Sequence, residues 1–150
     1  MGDLMSIKFI SNYIFDIYIK KCLIKNIDFN KKEDIEKYLK KTFKLLNNKY
    51  KVKIEGFYDI TIYIDKYYGI ILHLEKENID YYDYYKNQVD MSLVTIDTNF
   101  LYEVDDIPLD IINKINVIVE NNKIYVTIKE ELDNLEMMNL IENSKIICKI

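Results

Sequence analysis

From Tyr50 onward the chain alternates apolar and polar residues for longer than any other stretch, and that alternation restricts the fold most. Tyr50, Val52, Ile54, Tyr58, Ile60, Ile62 and Ile64 occupy even positions, with Lys51, Lys53, Glu55, Asp59, Thr61 and Asp65 between them. A period of two belongs to a strand with one buried face and one wet face. Gly56 lets the run be one strand or two strands bent at that point. Asp65 to Gly69 supplies a turn, after which Ile70, Leu72 and Leu74 return with the same alternation. The pair reads as a β-hairpin.

The segments on either side follow from the same rules. Phe15, Ile17, Tyr18, Ile19 and Ile24 make a β-rich run over 14–24. Asn30 followed by Glu33 has capping-box spacing and predicts a helix over 31–48. Ile35, Tyr38, Leu39, Thr42, Phe43 and Leu46 share one face of that helix, and Lys37, Lys40, Lys41 and Lys44 share the opposite one. A further strand is expected over Leu93 to Val104. Pro108 stands at the entry of a short helical segment reaching Ile115, where its missing N–H costs nothing. Val117 to Val119 and Ile124 to Ile128 flank Asn121 and Asn122 as a second hairpin. Leu132, Leu135, Met138 and Ile141 mark a last amphipathic helix, and Ile146 to Ile150 a short strand whose free edge could pair two copies into a homodimer.

This order of elements predicts an α+β fold: a single domain over 1–150, with a largely antiparallel sheet and two or three amphipathic helices packed on it. Residues 1–6 are expected to be a disordered start. At 150 residues the chain can bury roughly 70% of its unfolded surface, so no disulfide framework is required. Cys22 and Cys148 are far apart and read as ordinary thiols of a reducing cytoplasm. No stretch approaches the roughly 20 apolar residues of a membrane span, which favours a soluble cytoplasmic protein.

Composition excludes several kinds of chemistry. Arg, Ala and Trp are absent while Ile, Lys, Asn and Tyr are abundant, the bias of an AT-rich genome. Without guanidinium forks, base-specific reading of nucleic acid is disfavoured. Gly2, Gly56 and Gly69 are the only glycines, so the chain has no phosphate-binding loop, dinucleotide fingerprint or nucleophile elbow. His73 is the only histidine and alternates with Ile71 on a strand, a structural rather than a catalytic setting. A Cys22–His73 thiol pair has nothing in the sequence to bring it together, and chemistry by carboxylates alone stays open because acids are plentiful. No cofactor or metal is expected, since Asp97 and Asn99 begin a calcium-loop spacing that the following residues do not complete.

Charge is divided along the chain. Residues 1–53 hold 13 Lys against 6 acids, a net +7, and residues 54–150 hold 8 Lys against 19 acids, a net −11, which together make the overall −4. The sequence DYYDYYKNQVD over 80–90 adds a dense run of aromatic rings and acids. Tyr offers large contact area at little rotamer entropy, and nearby acids suit a basic partner. The expectation is therefore a non-catalytic protein-interaction domain, an adaptor, regulator or inhibitor. Its face would comprise Asp80, Tyr81, Tyr82, Asp83, Tyr84, Tyr85, Asp90, Asp105 and Asp106. The alternative is weak, salt-sensitive anion binding, to RNA or an anionic membrane surface, through Lys37, Lys40, Lys41 and Lys44.

Overall fold

The computed structural model describes residues 4–77 and 89–147. Its strands are β1 (Met5–Phe9), β2 (Ile14–Lys20), β3 (Gly56–Asp65), β4 (Gly69–Lys76), β5 (Val89–Asp97), β6 (Leu101–Val104), β7 (Ile115–Glu120), β8 (Lys123–Ile128) and β9 (Ser144–Ile147). Its α-helices are α1 (Lys32–Tyr50) and α2 (Asn134–Glu142), with 3-10 turns at Lys21–Leu23 and Leu109–Lys114. The strands form two sheets rather than one, ordered β1-β2-β4-β3-β5 and β7-β8-β6-β9. Every pairing is antiparallel except that of β3 with β5.

Two cores share the first sheet. Ile35, Leu39, Phe43 and Leu46 of α1 pack on Ile17, Ile19, Ile60, Ile62, Ile70, Leu72 and Leu74, which all project from one side of that sheet. On the other side Ile71 is also buried, and with Tyr68 it joins Phe100, Tyr102, Val126 and Leu140 in a second cluster. The first sheet is thus covered by α1 on one face, while the second sheet covers part of the other. Burying an aliphatic or aromatic side chain fully contributes roughly 1.5–3 kcal/mol, so each cluster has ample driving force against the entropy of ordering it.

Local chemistry explains where the elements differ from expectation. Asn30 does not cap α1; its N–H donates to Asp28 Oδ1 at 2.9 Å, and the cap residue is Lys31 with no side-chain cap bond. Glu33 and Asp34 in the first turn complement the helix dipole in its place. The helix runs past Asn48 to Tyr50 and stops where Lys51 turns left-handed at φ 57. Residues 51–55 are consequently outside β3, which begins at Gly56. The expected strand over Leu93 to Val104 is two strands in different sheets, and β1 is an additional strand paired with β2. Pro108 stands just before a 3-10 turn. At the second hairpin Asn121 and Asn122 both take positive φ, 51 and 64, as a two-residue turn of the favoured twist requires.

The β3–β4 turn is the joint between the two cores. Asp65 is buried, and its Oδ2 accepts the Tyr67 and Tyr68 N–H groups at 2.9 and 2.8 Å. Its Oδ1 accepts the Phe100 N–H at 3.0 Å, tying the entry of β6 to the turn. Gly69 follows at φ +127, where a Cβ would lie 2.6 Å from the Lys21 amide nitrogen. The close approach lets the Lys21 N–H donate to the Tyr68 carbonyl at 2.8 Å. No helix of the described residues is long and apolar enough to cross a membrane.

Candidate functional site: an open acidic sheet face

Strand register places the polar residues of β2, β4, β3 and β5 in rows across the side of the first sheet opposite α1. The row Tyr18–Ile71–Tyr63 lies against the second core. Two residues further along each strand, the row Asp16–His73–Thr61–Val94 emerges from that cover, with Val94 exposed. Glu75, Asp59 and Ser92 form the next row, and Glu77, Phe57 and Asp90 the last. Strand alternation fixes the common side: once Ile71 faces the second core, His73, Glu75 and their cross-strand neighbours must face the same way. Five carboxylates therefore share one open face with Lys8, which is opposite Asp16 on β1, and His73.

Two hydrogen-bonded groups organise this face. His73 Nδ1 lies 2.7 Å from Asp16 Oδ1, and Nε2 lies 3.1 Å from Glu75 Oε1. Partial burial works against charging the imidazole, but hydrogen bonds to both carboxylates and their negative charge outweigh it. His73 therefore titrates above its ordinary 6.5. A raised folded value means that the protonated ring stabilises the fold. That contribution is complete below about pH 6.5 and fades as pH rises through the raised value. Urea unfolding of the native protein and His73→Gln, compared from about pH 5 to about pH 8, should show the native protein's advantage shrinking as pH increases. A difference independent of pH would show that the pair carries no such linkage.

The second group is Ser92, Asp59 and Glu77. Ser92 Oγ donates to an Asp59 carboxylate oxygen at 2.6 Å and holds the Asp59 carboxyl below its ordinary value, helped by a hydrogen bond with Glu77. That same bond pushes Glu77 up, the behaviour of two carboxylates near enough to share one proton. Among the described residues, the only ionic partner within 4 Å of any carboxylate on this face is His73, for Asp16 and Glu75.

The expected site residues disperse. Asp90 belongs to the acidic face. Asp105 and Asp106 follow β6 and, with Asp110, line a separate cleft of about 400 Å³ next to α2. The structure does not bring them together with Asp90 on one sheet. Asp80, Tyr81, Tyr82, Asp83, Tyr84 and Tyr85 lie outside the described residues, as does Cys148. Lys37, Lys40, Lys41 and Lys44 are all exposed on the outer side of α1, with no carboxylate within 4 Å among the described residues. The acidic and basic faces thus lie on opposite sides of the first sheet. Cys22 follows β2 at the Gly69 end and is not a partner of His73, both of whose nitrogens are engaged by carboxylates. Asp16, Asp59, Glu75, Glu77 and Ser92 were missed by sequence reasoning; their partners are set by register between strands distant in the chain, which local patterning does not carry.

Comparison with protein-family models, with curated proteins and with solved structures finds no match to this chain.

Proposed function

We propose that this chain is a non-catalytic binding module that takes a basic segment of a partner protein on the acidic face of its first sheet. The observation that carries this reading is the strand register, which sets Asp16, Glu75, Asp59, Glu77 and Asp90 on one side of the sheet with His73 as their only ionic partner within 4 Å among the described residues. An incoming ammonium or guanidinium would relieve their repulsion and gain charge-assisted hydrogen bonds. Asp16, Glu75 and Asp90 extend the negative surface, and exposed Val94 offers apolar contact within it. Glu77 and Val89 both lie at this end of the sheet: the Glu77 N–H donates to the Phe57 carbonyl at 2.9 Å, and Val89 pairs with Gly56.

A second reading rests on the lysine side of α1, whose four ammonium groups have no carboxylate within 4 Å among the described residues and suit a polyanion. Affinity capture from the native lysate, with and without nuclease, separates the two. A protein partner that survives nuclease and is lost in the Asp59→Lys, Glu77→Lys, Asp90→Lys variant is the expected result. Capture that requires nucleic acid and disappears on reversing Lys37, Lys40, Lys41 and Lys44 would replace the first reading with the second. Captured species indifferent to both sets of reversals would overturn both readings.

A further inference from the structure

A cleft of about 380 Å³ opens at the other end of the first sheet, between the chain leaving β2 and the segment entering and forming α2. One wall is apolar, built from Leu132, Met137, Met138 and Ile141. The other is cationic, with Lys20, Lys21 and Lys25 beside Cys22. The volume falls within the small-molecule range and equals that of roughly a dozen waters at about 30 Å³ each.

The lysines are not equivalent. Lys21 Nζ is held by Glu131 Oε1 at 2.7 Å, and this contact draws the Glu131 carboxyl below its ordinary value. Lys20 and Lys25 have no carboxylate within 4 Å among the described residues. Two uncompensated ammonium groups along an apolar wall ask for a ligand with both properties. Methionine thioethers adapt to flexible chains, which suits an alkyl tail better than a rigid ring.

We infer that this cleft binds a small amphipathic anion, an alkyl carboxylate of about a dozen non-hydrogen atoms, with its tail against Met137 and Ile141 and its head between Lys20 and Lys25. Decanoate is a suitable probe. The overall charge of −4 provides an internal control, because non-specific adsorption to an acidic protein favours a cationic amphiphile over an anionic one. Cys22 reports from within the cleft and is exposed.

Calorimetric titration with decanoate should give saturable one-to-one binding, and decyltrimethylammonium at the same concentrations should not. In a Cys148→Ser background, decanoate should slow the reaction of Cys22 with dithiobis(nitrobenzoate) in proportion to occupancy. Lys20→Gln with Lys25→Gln should weaken decanoate about tenfold or more, the loss expected for one charge-assisted contact or beyond. Absence of saturable binding, equal protection of Cys22 by the cationic amphiphile, or an unchanged affinity in the lysine variant would each overturn the assignment. The comparison of head groups uses the unaltered chain and does not depend on any variant folding.

Discussion

Asp65→Ala is expected to remove a large share of the stability of the protein. Three backbone N–H groups, those of Tyr67, Tyr68 and Phe100, donate to one buried carboxylate, and alanine offers none of them an acceptor. The Tyr68 and Phe100 donors are buried and that of Tyr67 is part-buried; each buried donor left unpaired costs about 1–3 kcal/mol, a large share of the about 5–15 kcal/mol of a typical domain. Asn keeps one acceptor oxygen and sets a donor in place of the other, so Asp65→Asn should fall between the native protein and Asp65→Ala. Urea midpoints for the three proteins test the order. Equal midpoints for native and Ala would mean that water replaces the carboxylate without penalty, and Asp65 would lose its role as the joint between the cores.

Gly69→Ala is the second large effect. At φ +127 a non-glycine residue is strained by about 1–3 kcal/mol even with free space around it. Here the space is absent, because the new Cβ would meet the Lys21 amide nitrogen at 2.6 Å and the Lys20 carbonyl carbon at 2.9 Å. Those atoms are backbone and cannot swing aside as a side chain does. The turn must separate from the end of β2, losing the bond from the Lys21 N–H to the Tyr68 carbonyl. We expect at least about 3 kcal/mol of destabilisation in chemical unfolding. Gly56 provides the contrast: its nearest neighbour is the flexible Lys76 Cε at 3.0 Å, so Gly56→Ala carries backbone strain with little added crowding. A Gly69→Ala protein as stable as Gly56→Ala would contradict the close approach.

The hairpin of β3 and β4 was legible because a half-buried strand writes its alternation directly into the sequence. The same rule misled one step later. Ile70, Ile71 and Leu72 are apolar on both sides of β4, the mark of a strand covered on both faces, yet the expected wet side suppressed that reading. β5 turns Met91 and Leu93 to the first core and β6 turns Tyr102 and Val104 to the second, yet without Gly or Pro between them the passage from one sheet to the other left no local sign. In α2 the expected inward stripe included Leu135, which is 63% exposed. The helix begins instead at a capping box formed by Asp133 and Glu136, and it buries Leu140. Of the acidic face, Asp90 was named from composition. Asp16 and His73 meet because β2 and β4 align them, a fact of tertiary pairing.

The connectivity of the first sheet also has a kinetic meaning. β3 and β4 can meet as soon as their short turn closes, and β7 and β8 can do the same around Asn121 and Asn122. β2 can dock only after the chain has made α1, β3 and β4, and β5 joins in parallel after a crossover. The loop-closure entropy of these late pairings is spent before their contacts form, which places them on the slow side of the folding barrier. During synthesis the α1 helix would emerge with its apolar face uncovered and wait for the hairpin that buries it. The helix carrying the lysine face is thus made before the hairpin that supplies its floor, and its charge opposes association of the waiting segment.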